Sequence, residues 1–595
     1  MYSCIFCIMM YSCMMTGCKK EQAGTSIQQE LQIDLEKLLL HINEFQTVAL
    51  ADATETQLQQ QFEKCRRSYK KAEWAIAYFV PATDRFINGP ALDELEVEEN
   101  KFLPPNGFQV IEELLFPKYS TASKPDLVRE IAVLKANVQQ VQQHLSAITI
   151  SPNYVMDALR MEVYRIISLG ITGFDSPVAF LSVNEAASSL DAIADVIPKL
   201  TMENQDAIAI KNKITQLIAK SKVYYKSNPN FNTFNRAVFI KDYLNPLSGL
   251  LHDFQKKNKI PNVDKSNVLH SEAKGYFEKN AFNVNAFIPS KEYTYTEEKA
   301  ALGRELFYEN AFSKNKNRSC ASCHNPEKAF TDGLKTNRSL TGSNLARNTP
   351  TLTYASLQNA QFWDMRQLDL EKQSMDVIQN KDEMHGSLQN IIPVIRQNTK
   401  YKKLFDSAFP GTKAVEEWQI QNAIASYIRS LNAFDSRFDG YMRNENTLSE
   451  IELSGFNLFA GKAKCATCHF IPLFNGTVPP SFSKTEQEVI GTPTDKKGTA
   501  ISNDPGRYSQ YKMPQLLHSF KTPTLRNIAI TGPYMHNGVF TTLEEVVDFY
   551  NKGGGTGLGL TIDNQTLPPD QLNLTKKEQQ ALIAFMKTLT DAKYN

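Results

Sequence analysis

The sequence predicts a mainly α-helical chain in two parts, a helical bundle followed by two loop-rich lobes, on three observations. Residues 27–255 repeat apolar side chains at helical spacing with almost no strand-like alternation. After about residue 291, long Gly/Pro/Asn-rich loops with a few helices replace that pattern. One five-residue motif, C-x-x-C-H, stands in each half of this second part. A length of 595 residues exceeds what one core serves, so several domains are expected.

The elements follow in chain order. Residues 1–18 read as an export leader: an apolar stretch from Ser3 to Gly17 ends at Met15-Thr16-Gly17-Cys18, a lipobox-like site that would place a lipid on Cys18. Residues 19–255 form the expected bundle. Leu31, Leu35, Leu38, Ile42 and Phe45 make one apolar face, and Leu127, Ile131, Leu134, Val138, Val141 and Leu145 another. Cys65 falls on the stripe Leu58, Phe62, Cys65, Tyr69, Ala72, Ile76 and reads as a small core residue. Residues 256–290 turn polar and irregular and read as a linker. Residues 291–440 and 441–595 then form two lobes, each with one motif.

Composition excludes several classes. Basic and acidic side chains nearly cancel, 65 against 64, which gives no footprint for nucleic acid or an anionic membrane surface. No apolar run beyond the leader approaches the length of a spanning helix. The nine cysteines are not a disulfide framework: four lie in the first eighteen residues and four form two C-x-x-C pairs.

The motifs carry the chemistry. In Cys320-Ala-Ser-Cys323-His324 and Cys465-Ala-Thr-Cys468-His469, two thiols on one turn can reach both vinyl groups of a haem, and the adjacent His can ligate its iron. Nine Cys and nine His in this length predict about 0.002 such motifs by chance. A four-cysteine zinc site would need neither His, and a redox C-x-x-C would expect a thioredoxin-like βαβ context. The fold class is therefore mainly α, with two c-type cytochrome-like lobes that each bind one covalent haem c. Attachment of that kind places the chain in the periplasm or cell envelope.

The surrounding text supplies a resemblance. Leu302-Gly303-Arg304-Glu305-Leu306-Phe307, Phe330-Thr331-Asp332-Gly333, Arg347-Asn348-Thr349-Pro350-Thr351, Gln361-Phe362-Trp363-Asp364 and Glu383-Met384 surround the first motif. Asp504-Pro505-Gly506-Arg507, Phe520-Lys521-Thr522-Pro523-Thr524-Leu525-Arg526-Asn527 and Pro533-Tyr534-Met535-His536-Asn537-Gly538 follow the second. Over residues 295–590 this resembles the bacterial dihaem cytochrome c peroxidase and MauG superfamily. The resemblance implies His324 and His469 as proximal iron ligands, Glu383 as the distal acid at the peroxide site, and Trp363 as a relay between the haems. It also implies a calcium ion held by Asn348 and the carbonyls of Thr531 and Pro533, an oxygen-only set that suits Ca²⁺. Separately, Asn88-Gly89-Pro90 with Pro104-Pro105-Asn106-Gly107-Phe108-Gln109-Val110-Ile111-Glu112 is similar to the imelysin-like helical proteins. There Gln109 stands in place of the His of Gly-x-His-x-x-Glu, which points to a structural or docking bundle.

Two departures from the family pattern matter. Many members carry a second His sixteen residues past the first proximal His; here that place is Leu340, which cannot bind iron. Fourteen residues after His536, where the standard peroxidases place a Met ligand, stands Tyr550, as in MauG-type members. The alternative ligands for this haem are Met513 and Met535. The expected function is reduction of hydrogen peroxide at the first haem, with electrons from a donor redox protein relayed through the second. The alternatives are a MauG-like oxidase acting on an oxidisable partner protein and a haem electron-transfer or binding module. His385 is the second candidate for the acid–base role.

Overall fold

The computed structural model describes residues 18–97, 100–200, 205–263 and 268–594. The expected leader, residues 1–17, lies outside them, as does the Cys18 side chain. The chain is mainly helical and divides into two compact units. One comprises residues up to Glu94, Pro104–Phe231 and Asp242–Asp264; the other comprises Leu95–Leu103, Asn232–Lys241 and Lys265–Asn595. No helix among the described residues is long and apolar enough to cross a membrane.

In the first unit α1 (Cys18–Leu50), α2 (Glu55–Phe79), α3 (Lys124–Ala147), α4 (Pro152–Arg165) and α5 (Ser182–Val196) bury the stripes read from the sequence. Thr54 starts α2 through a capping box with Gln57. Leu31 to Phe45 and Leu127 to Leu145 on those faces are fully buried, and Cys65 lies among them as a free thiol pushed up by burial. Beside this apolar core lies a lattice of buried charge. Arg66 grips Glu185 with Nε and Nη2 at 2.6 and 2.7 Å, and Lys70 reaches Glu73 at 2.7 Å and Asp175 at 2.5 Å. Arg165 adds a 3.0 Å contact to Glu73. Such charges are tolerated away from water because each has a partner. Gln109 donates to the Asn88 carbonyl at 3.0 Å, and one Glu112 oxygen accepts from Ser176 Oγ and the Val178 and Ala179 amides at 2.9, 3.0 and 2.6 Å.

The second unit holds both motifs, and its two segments repeat one layout. In the first, α6 (Glu297–Phe307), capped by Thr296, precedes Cys320 and packs on α7 (Glu417–Arg429). In the second, α8 (Glu450–Phe459), with a Ser449/Glu452 capping box, precedes Cys465 and packs on α10 (Lys576–Lys587); α9 (Leu543–Asn551) lies between them in sequence. Glycine sets the approach in both pairs. A Cβ on Gly303 would stand 1.8 Å from the Ala423 carbonyl oxygen, and one on Gly455 would stand 1.9 Å from that of Ala581. Either would force the helices apart. Strands are short; Gln487–Glu488 pairs antiparallel with Phe520–Lys521. The Asn232–Lys241 segment belongs to this unit because its polar groups are satisfied here: the Ala237 amide donates to Asn457 Oδ1 at 3.1 Å, and Asn457 Nδ2 donates to Asn235 Oδ1 at 3.1 Å.

Candidate active site at the two motifs

Each motif forms a single 3₁₀ turn. Cys320–Ser322 is closed by the Ser319/Ser322 capping box, and the Cys323 and His324 amides both donate to the Cys320 carbonyl, at 3.2 and 2.9 Å. Cys465–Thr467 repeats this, with the Cys468 and His469 amides on the Cys465 carbonyl at 3.3 and 2.9 Å. The turn sets two thiols and an imidazole side by side.

Both imidazoles have one nitrogen committed. His324 Nδ1 donates to the Phe330 carbonyl at 2.9 Å, and His469 Nδ1 donates to that of Pro523 at 3.0 Å. A proton held on Nδ1 leaves Nε2 with the lone pair a metal needs. Burial lowers both imidazoles, His469 to about 4, so both are neutral.

The donor set fits haem c. All four thiols are unpaired, and burial pushes them up: Cys320 to about 12, Cys323 to about 11, Cys465 to about 12, and Cys468 well above its ordinary value. Two free thiols on one turn with a neutral imidazole next to them are the donors that two thioether bonds and one iron ligand need. Among the described residues no three or more His, Cys, Asp or Glu side chains converge as a metal cluster, so the two pairs do not meet in a ribbon.

Glu383 comes to the first motif on a tightly folded turn. The Glu383, Met384 and His385 amides all donate to the Asn380 carbonyl, and His385 has φ 47°. Gly386 lies so close to Phe312 that a Cβ would stand 1.6 Å from its carbonyl oxygen. Asn380 Nδ2 holds one Glu383 oxygen at 2.7 Å. Burial raises the Glu383 carboxyl, against Arg366 and the Asn380 bond, which lower it. After burial and Asp332, the same carboxylate adds to the upward push on the Cys323 thiol, which Arg318 opposes, so Glu383 lies within electrostatic reach of the motif. Leu340 is there too: its amide donates to the Asp382 carbonyl at 2.8 Å, and Arg318 ties the Ser339 carbonyl to the Glu383 carbonyl at 2.9 and 3.4 Å.

Trp363 is half-buried between backbone anchors from both segments. Its Nε1 donates to the Asn348 carbonyl at 3.0 Å, and its own carbonyl accepts from the Lys521 amide at 2.8 Å, two residues before Pro523. Asn348 spends Nδ2 on the Leu334 and Lys335 carbonyls, at 2.9 and 3.4 Å, and its amide donates to the His536 carbonyl at 2.7 Å. Its Oδ1 remains as an acceptor beside the turn that follows Thr531 and Pro533.

At the second motif Tyr550 occupies the penultimate position of α9. Burial, and after it the charges of Cys468, Cys465 and Glu488, push its phenol above the ordinary range, so the ring lies within electrostatic reach of the second motif. Met535 packs in the same apolar cluster as Tyr550, with Val539, Phe540 and Phe549. His536 is occupied elsewhere: Nε2 meets Ser502 Oγ at 2.9 Å and the ring stacks on Phe520 at 3.7 Å.

Two polar side chains at these sites carry no sequence signal. Glu488 accepts from Cys468 Sγ at 3.3 Å and from Thr566 Oγ1 through its other oxygen, with burial raising its carboxyl. Arg318 is the other. Neither belongs to a spacing motif; the strand pair delivers Glu488, and the fold of three loops delivers Arg318.

With this geometry, residues 297–447 match the model of the di-haem cytochrome c peroxidase family. The cytochrome-c peroxidase IdrP1 of Denitromonas iodatirespirans is 34% identical over 315 residues, which cover 50% of this chain and 82% of that protein. The methylamine utilization protein MauG of Paracoccus denitrificans is 32% identical over 346 residues, covering 50% and 89%. Among solved structures, a MauG-like protein associated with microbial copper homeostasis is similar at 32% identity and a TM-score of 0.45, covering 52% of this chain and 95% of that one. The chain is an oxidoreductase of the peroxidase type and belongs to the di-haem cytochrome c peroxidase and MauG family. Membership implies two c-type haems.

Proposed function

We propose that the protein reduces hydrogen peroxide at the first motif with electrons relayed from the second. The observation that carries this reading is Glu383, a half-buried carboxyl on a clamped turn within electrostatic reach of Cys323, with Leu340 in place of a blocking His. Cys320, Cys323 and His324 would hold one haem, and Cys465, Cys468 and His469 the other, with Tyr550 as its sixth ligand. When bound, the first haem would supply redox and Lewis-acid chemistry toward peroxide. Glu383 takes the proton from the nearer peroxide oxygen and returns it to the farther one, which then departs as water. Asn380 orients the carboxylate for this, and burial, by raising its proton affinity, makes it the stronger base. Trp363 bridges the segments as the relay. Asn348, with the carbonyls of Thr531 and Pro533, would hold Ca²⁺.

A second reading, MauG-like oxidation of a partner protein, is favoured by Tyr550, since an anionic phenolate favours ferric and higher states over Fe(II). Both readings put the protein in the periplasm or cell envelope, with Cys18 as the lipid anchor and residues 19–255 as a docking domain. The test is stopped-flow mixing of the fully ferric protein with stoichiometric peroxide. A fast Soret change without prior reduction is expected. No reaction until the protein is half-reduced would show that another residue, with His385 first to test, closes the site.

A further inference from the structure

The two segments of the second unit build the same aromatic triad behind their motifs, and one vertex differs. In the first, Phe307, Phe330 and Tyr427 stand 5.2 Å (Phe307–Tyr427), 5.9 Å (Phe307–Phe330) and 6.2 Å (Phe330–Tyr427) apart. In the second, Phe459, Phe474 and Phe585 stand 5.2, 5.7 and 5.9 Å apart in the same order. The register is the same: an added Cβ on Gly303 would lie 3.0 Å from Tyr427 Cβ, and one on Gly455 would lie 2.7 Å from Phe585 Cβ. Phe330 and Phe474 both take left-handed backbone, at φ 62° and 52°. The second segment thus shows that packing this position requires a ring and no hydroxyl.

In the first segment the rings lead outward. Tyr427 is buried and its ring meets Phe307 at 5.2 Å; Tyr308 meets the same Phe307 ring at 5.6 Å, and after burial its phenol is the largest influence pushing Tyr427 up, to about 12. Tyr308, 48% exposed, follows Phe307 directly, whereas Phe459 is followed by the buried Ala460. At the inner end the triad belongs to the apolar core against which Cys320 and Ala321 pack, and the Phe330 carbonyl receives the His324 Nδ1 proton.

We infer that Tyr427 and Tyr308 form a redox relay joining the proximal side of the first motif to the protein surface, a second electron route independent of Trp363. The inference rests on the reading of that motif as a peroxide-reducing site, and peroxide is the oxidant. Tyr427 gives one electron to the first site and its phenolic proton toward the Tyr308 hydroxyl, which releases its own proton to water. An electron from an external donor, accepted at exposed Tyr308, and a proton from water restore both phenols.

The test uses the holoprotein mixed with peroxide in the absence of donor and freeze-quenched for electron paramagnetic resonance, with the Soret band followed in parallel. The wild type should show a tyrosyl radical signal that shifts when ring-deuterated tyrosine is incorporated. Tyr427→Phe, which copies the triad of the second segment and should keep the resting spectrum, should lose at least about nine-tenths of that signal. Tyr308→Phe, which removes the proton acceptor, should weaken the Tyr427 radical and abolish oxidative marks on the peptide carrying position 308 in mass spectrometry. A Soret response with no tyrosyl signal, or with an undiminished signal in Tyr427→Phe, overturns the relay and leaves the peroxide reading standing. Absence of any Soret response overturns both.

Discussion

At Cys320–His324 and Cys465–His469 the chain builds one proximal arrangement twice, then places opposite chemistry around each. Both have the 3₁₀ turn, the imidazole tied to a backbone carbonyl, the glycine-seated helix pair and the aromatic triad. Near the first lie Leu340, an aliphatic side chain, and the carboxyl of Glu383; its aromatic triad continues to the exposed Tyr308. Near the second lie a phenol, Tyr550, and the half-buried Glu488, and its triad is all Phe. On the proposed function, the shared parts are structural and the unshared ones would select the chemistry, an open site with acid–base capacity against a site closed by Tyr550.

The largest test of that division is Glu383→Gln, which keeps shape and the Asn380 contact but removes the base. Turnover of peroxide should fall by roughly 10²-fold or more, the range for a general acid–base group, with resting spectra unchanged. Full activity would move the proton-transfer role to His385. A pH profile sharpens the point. Because burial raises Glu383, the ionised form that accepts a proton prevails only above the ordinary carboxylate range. The stopped-flow rate should therefore fall on acidification at a pH above 4.5, the group's ordinary value, and Glu383→Gln should flatten this limb.

The claim that the shared parts are structural predicts matched costs. Gly303→Ala and Gly455→Ala each press a methyl into a facing helix carbonyl, so each should destabilise the holoprotein by about 1–3 kcal/mol in denaturant unfolding. A large loss at one and none at the other would break the equivalence of the two segments. The smallest structural change, Tyr550→Phe, should leave the fold intact, remove phenolate bands from resonance Raman spectra and raise the potential of the second haem. Native protein lacking those bands would transfer the ligand role to Met535 or Met513.

The first unit contributes a different pH dependence. Burial raises Asp84 to about 6, so its protonated form is the one the fold prefers. A group with a raised folded value gives its full stabilisation below the unfolded value of 3.8 and loses it as pH rises through about 6. Unfolding of the wild type against Asp84→Asn should therefore converge at acid pH and separate in favour of the variant between about pH 4 and 6.

The amino-acid sequence by itself determined the helical periodicity, the buried stripes including Cys65, the two C-x-x-C-H turns and the positions of Glu383, Trp363, Leu340 and Tyr550. These were legible because local spacing encodes them: a helix face repeats every three to four residues, and a turn of five residues carries its own ligands. Only the tertiary structure decided that Leu340 pairs with the Asp382 carbonyl beside Glu383, that Arg318 ties these two turns together, that Glu488 reaches Cys468, and that Tyr427 and Phe585 are counterparts. Each of these pairs is brought together across long separations by packing and by backbone carbonyls. Contacts of that kind leave no periodic trace in a single sequence, because the partner atom is often a peptide group, which every residue possesses.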